Sequence, residues 1–421
     1  MSAPLTTAGR GVTAFRRWVR LVFVGLAIVL LPLMAVAGGK GIAAVAAVLG
    51  IVVALLGLTK RGAGERVHPS LAFWAVLAFA FWALVTVLWS PHAGFAWDGN
   101  AVKILAGVLL YTVAADGVVQ SGRLRPYLLQ ALGLGAVAVT LVVTCVDAAT
   151  DYALTFWADP LRPGEDAELK RGQAEMNVGH GVTVAALLLP AACTAVFAGL
   201  RHRRGVAVLA IAGALTVFAL AASMGRLWVG FVVLSALAIV TALALWRPRA
   251  GVLAAGAFAG VSVLFAPLVG VLARGVPDAA KAGLPFSWEH RLESWAFVAG
   301  EIVDAPLLGH GFDAARTYTE TFTTRGFEMP LVSLHPHNAG LQIWLETGLV
   351  GAVLATVAIA VMVRAALGYV GKSRARAVAV AGFVTAATCV SGVSYGVWQE
   401  WWWASLFLCG AMVPVLLRDY S

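Results

Sequence analysis

Long apolar runs recur from Trp18 to Leu417, separated by short polar or Gly/Pro-containing breaks. A run of about 20 apolar residues is what one helix needs to cross a bilayer. Twelve spans are expected, near 18–38, 41–59, 70–90, 100–119, 127–147, 178–200, 205–222, 226–246, 250–272, 339–364, 376–396 and 401–417. Charge is correspondingly scarce: 12% of the 421 residues are Asp, Glu, Lys or Arg, about half of the roughly 25% usual in a soluble domain. That shortage excludes a water-soluble enzyme, a nucleic-acid-binding domain and a disordered chain. The expected fold is an all-α polytopic integral membrane protein, one transmembrane domain over residues 1–421 with about 12 helices.

In such a protein the net charge of +9 concerns membrane sidedness rather than nucleic acid. With the N-terminus inside, the inner connections collect 19 of the 30 basic residues, from Arg10, Arg16, Arg17 and Arg20 through Arg374, Arg376 and Arg418. The outer side takes 18 of the 21 acidic residues. Both termini are therefore expected on the cytoplasmic side. The first span has a basic leader and an Ala35-Val36-Ala37 sequence resembling a cleavage site, and is read as a retained helix. Cys145, Cys193, Cys389 and Cys409 fall inside apolar runs without a C-x-x-C pair, so they read as packing residues.

Two outer segments exceed simple connections, 148–177 and 273–338, and loops of that length are usually functional. In the larger one, Ser287 is expected to cap a helix running to Asp304, with Trp288, Leu292, Trp295, Ala299 and Ile302 on one apolar stripe. That stripe would lie on the membrane surface or pack on the bundle. Arg291, between Trp288 and Trp295, can stack on an indole and still present its donor fork. The segment ends in Ser333-Leu334-His335-Pro336-His337-Asn338. Asn338 is the expected N-cap of the next span, which places His337 at the positive end of a helix dipole and lowers its pKa. His335-x-His337 lacks a carboxylate or thiol at ligand spacing, so no metal is expected. Two cations break the sidedness pattern: Arg226, opening a span after Ala222-Ser223-Met224-Gly225, and Lys103, for which Asp98 is the nearest expected partner. Glu346 is an acid about two turns into a span, beside Thr347-Gly348.

Three stretches together resemble the O-antigen ligase and polymerase superfamily. They are Ser223–Arg226; His290-Arg291-Leu292-Glu293-Ser294-Trp295 leading to Pro306-Leu307-Leu308-Gly309-His310-Gly311-Phe312; and His337-Asn338-Ala339-Gly340-Leu341-Gln342 followed by Glu346-Thr347-Gly348-Leu349-Val350-Gly351. The motifs cover residues 222–351, whereas the first 170 residues are similar in hydropathy alone. The resemblance implies a multipass inner-membrane enzyme with a periplasmic active site. Its donor would be a glycan on undecaprenyl diphosphate, its acceptor lipid A–core, and it would need no cofactor. By motif match His337 would be the catalytic base, and Arg226 and Arg291 would bind the donor diphosphate. His335, Asn338, Lys103, Glu346 and Trp295 are supporting candidates. Polymerisation of repeat units and protein glycosylation are alternatives within the superfamily. A polysaccharide-lipid flippase is the alternative of another class; it would require polar groups near the bilayer midplane, which is Ala/Val/Leu-rich here.

Overall fold

A computed structural model describes residues 7–58, 70–92, 94–199, 213 and 227–417. The first half contains helices α1 (Thr7–Val36), α2 (Lys40–Leu58), α3 (Leu71–Val85), α4 (Asn100–Leu124), α5 (Pro126–Ala149), the short α6 (Ala153–Ala158) and α7 (Ala167–Gly199). Then come α8 (Leu227–Trp246), α9 (Pro248–Leu264), α10 (Ala266–Arg274), α11 (Asp278–Ala282), α12 (Phe286–Asp304), α13 (Ala339–Val370), α14 (Arg374–Val393) and α15 (Glu400–Leu416). Helices occupy each expected span except 205–222, which, Gly213 apart, lies outside the described residues. By length and apolarity, seven described helices can cross a membrane, or eight when the α9–α10 pair counts as one. The chain is thus an all-α polytopic membrane protein. Its one sheet among the described residues is an antiparallel hairpin of β1 (Thr321–Thr324) and β2 (Phe327–Pro330), which the periodicity did not suggest.

Two local expectations need correction. The stretch 250–272 is not one straight helix: α9 and α10 meet at 62° around Phe265. Pro267, in the first turn of α10, lacks the N–H that a continuous helix requires and its ring crowds the preceding turn. The bend turns α10 toward α12, where Gly270 lies against Ala299 and the Trp295 carbonyl. The second correction concerns the start of α12, where Pro285 rather than Ser287 is the N-cap. The Pro285 carbonyl accepts from the amides of Trp288 (2.8 Å) and Glu289 (3.0 Å). Ser287 therefore lies inside the first turn.

The helices alternate in direction, so their ends sort into two sets. The C-terminal end of α14 and the N-terminal ends of α4, α13 and α15 share one end of the bundle with the 273–338 segment. At the opposite end Arg123 and Arg376 approach Tyr369 and Leu417. Small residues and three consecutive buried tryptophans, Trp401, Trp402 and Trp403, fill the core where α15 packs on α2, α4 and α7.

Helix α13 is broken at Gly348 (φ 64, ψ −165), and the break explains two motifs at once. A kink exposes carbonyls and amides that the helix would have paired, and inside a membrane each must find a partner in the protein. Here the Pro306–Gly311 turn supplies them. His310 N donates to Leu345 O (2.8 Å) and Gly311 N to Glu346 O (3.0 Å), while Trp82 Nε1 reaches Thr347 O (3.0 Å). In return Leu349 N donates to Pro306 O (2.9 Å) and Val350 N to Leu307 O (3.3 Å). The P-L-L-G-x-G-F and E-T-G-L sequences are therefore two sides of one backbone junction. A Cβ on Gly348 would sit 2.3 Å from the Leu307 carbonyl oxygen, at a φ and ψ essentially reserved for glycine. Gly348→Ala is expected to cost about 3–5 kcal/mol, seen as a large fall in Tm of the purified protein; an unchanged Tm would refute the junction.

Candidate active site

Three consecutive residues of α12 reach three different elements. Glu289 accepts from Thr324 Oγ1 (2.6 Å) and pairs with Arg325 (3.1 Å), tying α12 to the hairpin. His290 donates its Nε2–H to the Pro330 carbonyl (2.9 Å) and its ring lies 6.5 Å from that of His337. Arg291 lies over the Trp288 ring at 5.4 Å. Its Nε donates to Val393 O (3.0 Å) and its Nη1 to Ser287 O (2.7 Å). Two of five guanidinium hydrogens are thus committed to main-chain carbonyls, fixing the plane of the fork. On the other face of α12, Trp295, Val298 and Ile302 are buried with Leu341 and Leu345, so the stripe packs on the bundle.

The histidine loop crosses above this helix. Trp295 Nε1 donates to Pro336 O (2.7 Å), holding the residue between the two histidines. His337 adopts φ 53, a left-handed conformation uncommon for a side-chain-bearing residue. Its amide donates to His335 Nδ1 (3.2 Å), and its own Nδ1 lies 2.7 Å from Ser394 O. A carbonyl only accepts, so His337 Nδ1 carries the proton and Nε2 is the ring's acceptor nitrogen. On His335 the acceptor nitrogen is already engaged by the His337 amide. The two histidines of the motif are therefore not equivalent: one shapes the loop, the other presents a basic nitrogen. Val393 and Ser394 close α14, whose C-terminal carbonyls are the negative end of the helix dipole. That one terminus positions both Arg291 and His337.

Burial pushes the His337 pKa down to about 4, with the Arg291 charge adding to the effect. His335 is pushed down to about 3, by burial first and then by His337, Arg316 and Arg291. Sequence position points to the dipole of the following helix; burial and the Arg291 charge are causes that the assembled fold adds. Arg291 itself is lowered to about 10 by burial and stays charged at neutral pH. Both histidines are thus neutral at pH 7 in the folded protein, while in the unfolded chain each titrates near ~6.5. Between these values the unfolded chain binds more protons, so stability is full above about pH 6.5 and declines as pH falls toward about 4. A Tm series over that window is expected to fall in acid, and to fall less in His335→Ala.

Glu346 is fully buried and acts as a hub. It accepts from the amides of Asp313 (3.0 Å) and Ala315 (3.3 Å), from Gln342 Nε2 (3.2 Å) and from Trp398 Nε1. Gln342 Oε1 in turn accepts from Val397 N (2.9 Å). The acid thus joins α13 to the 311–315 turn and to the 394–399 segment that carries Ser394. Asn338 caps α13, its Oδ1 accepting from Leu341 N (3.0 Å). Lys103 is exposed on the first turn of α4; among the described residues no ion pair joins it to Asp98, and no hydrogen bond to the histidine loop. Arg226 and the Ser223–Arg226 motif lie outside the described residues. No three His, Cys, Asp or Glu side chains among the described residues are arranged to hold a metal ion.

Sequence reasoning missed the 393–398 segment. Val393 and Ser394 act through carbonyls, which no side chain signals. Gly396 allows the close approach of His335, since a Cβ there would lie 2.8 Å from the ring. Its one visible sign is the Gly- and aromatic-containing break Ser394-Tyr395-Gly396-Val397-Trp398 between apolar runs.

Residues 207–356 match the family model described as O-antigen ligase. A Rickettsia bellii protein named "Putative polysaccharide ligase" is 35% identical over 163 residues, 37% of this chain and 39% of its own length. One so named from Rickettsia prowazekii is 34% identical over 134 residues, 31% of each chain. The chain therefore spans well under half the length of these relatives. No solved structure matches. The matched stretch contains Arg291, the histidine loop and the broken helix at Gly348, and over that stretch the chain is similar to the O-antigen ligase family.

Proposed function

We propose that this protein transfers a glycan from undecaprenyl diphosphate to a sugar hydroxyl of lipid A–core, at the periplasmic face of the bacterial inner membrane. The observation that carries this reading is His337, whose Nδ1–H is held by Ser394 O so that Nε2 is the acceptor nitrogen, with Arg291 fixed on the adjacent carbonyl. Support for sidedness comes from Arg123 and Arg376, which lie at the end of the bundle opposite the histidine loop.

The acceptor hydroxyl gives its proton to His337 Nε2 as its oxygen bonds to the anomeric carbon. The bond from that carbon to the phosphate oxygen breaks, and its electron pair leaves with the diphosphate. Arg291, joined by Arg226, donates bidentate hydrogen bonds that strengthen as charge builds on the departing phosphate. The imidazolium then returns its proton to the diphosphate or to water. An imidazole at about pKa 4 is by itself a weak base, but a diphosphate bound at Arg291 offsets that cation and raises the histidine toward working pH. Attack from the face opposite the diphosphate inverts the anomeric centre. Trp295 positions the loop: Trp295→Phe leaves the Pro336 carbonyl without its donor, and kcat is expected to fall about 10- to 100-fold, with little change in the KM of either substrate.

Purified protein in liposomes, given undecaprenyl-diphosphate glycan and lipid A–core in excess EDTA, is expected to yield glycan-capped core. Strict Mg²⁺ dependence would remove the metal-free mechanism. Lengthened donor chains on unmodified core would make the protein a polymerase. Donor crossing the bilayer unreacted would make it a transporter.

A further inference from the structure

At the same end of the bundle, a second recess lies outside the chemistry just described. The segment after α3, the start of α4 and the turn after Gly311 enclose a cavity of about 250 Å³. Its lining includes His92, Phe95, Asp98, Asn100, Phe312 and Asp313. The volume is just below the roughly 300–1,000 Å³ of drug-sized sites and suits a single ring.

The lining is sharply different from the histidine loop. No Lys or Arg borders the cavity, whereas Arg291 and Arg316 both act on His335. An anionic phosphate would meet the Asp98 carboxylate there with no Lys or Arg in the lining, so the recess disfavours the diphosphate. Asp313 is buried and locked, accepting from Asn100 Nδ2 (3.1 Å) and pairing with Arg316 (3.2 Å). That fixes the Asn100 amide at the cavity wall. Phe312 is fixed from behind by Trp398, ring centroids 4.9 Å apart. A carboxylate and an amide beside aromatic rings match a pyranose, which has apolar faces and a rim of donor and acceptor hydroxyls.

We propose that this cavity seats a neutral or amino sugar ring of a glycan substrate, with Asp98 and Asn100 bonding its hydroxyls and Phe95 and Phe312 against its apolar face. The proposal rests on the glycosyl-transfer reading and extends it. One ion pair, Asp313–Arg316, links the recess to the surroundings of His335. A sugar held there belongs either to the acceptor core or to the donor glycan just beyond the reacting residue.

Asp98→Asn weakens the hydroxyl acceptor at an exposed position. Gly94→Trp fills the recess from its rim, where a Cβ meets nothing within 4 Å. In the liposome assay both variants are expected to raise the KM of one glycan substrate at least tenfold with kcat within twofold. The substrate affected identifies the source, lipid A–core or the lipid-linked donor. Saturation-transfer NMR, using the core oligosaccharide and the O-glycan cut from those lipids, reads binding without catalysis. Wild type is expected to give ring-proton signals with one of them, and both variants to lose them. Unchanged KM values in both variants, or signals that survive both substitutions, overturn the cavity. Signals lost in both variants of a protein that transfers nothing leave the cavity standing and overturn the transfer reading instead.

Discussion

His337→Asn is expected to lower kcat for glycan transfer by about 10²–10⁴-fold, the usual contribution of a positioned general base. Asparagine is the informative replacement because it tolerates the left-handed backbone that His337 adopts at φ 53. Loop geometry and Tm should therefore survive while the basic nitrogen is lost. The KM of both substrates should stay within a few-fold, since the histidine acts on a proton in flight rather than on bound sugar. His335→Ala should have a smaller effect, because His335 supports the loop through the His337 amide without presenting its own acceptor nitrogen. Activity within tenfold of wild type in His337→Asn, measured at several pH values, would remove His337 as the base.

The second large effect is expected from Arg291→Lys. Charge is retained, but an ammonium cannot reproduce the planar fork that bonds Val393 and Ser287 and still has further donors to offer. A loss of kcat/KM of about 10²–10³-fold is expected, the scale seen when one transition-state donor is removed. Arg291→Gln adds a separate readout. Arg291 helps to hold the His337 pKa down, so its neutralisation raises that pKa. A base must be deprotonated to work, and the acid limb of the pH–rate profile should move to higher pH. An unmoved limb would mean that the two residues do not share a site.

Much of this was legible in the sequence, for reasons particular residues make plain. The spans follow from apolar run length, and Asn338 as N-cap follows from a polar side chain just before an apolar helix. Helix α12 was visible as a stripe, and Arg291 over Trp288 as an i, i+3 pair. What stayed hidden was carried by the backbone. The cap at Pro285 works through its carbonyl, and the bend at Phe265 depends on how much of Pro267's cost α12 offsets by packing on α10. The partnership between Pro306–Gly311 and Gly348 is a pairing of main-chain groups some forty residues apart. Position along the chain suggested that a helix dipole tunes His337; burial beside Arg291 is a further cause. Burial is a property of the assembled fold, and no local window contains it. Glu346, conspicuous as an intramembrane acid, proves to organise the turn at 311–315 and the 394–399 segment.

The anomeric configuration of the new bond tests the mechanism most directly. Product formed by the reconstituted protein from an α-linked diphosphate donor would be isolated, and the one-bond carbon–proton coupling of the transferred sugar measured by NMR. A single displacement in which His337 deprotonates the acceptor and Arg291 receives the leaving phosphate predicts the β configuration in all of the product. Retention of the α configuration would require two displacements or a covalent glycosyl intermediate, and would contradict the one-base account of this site.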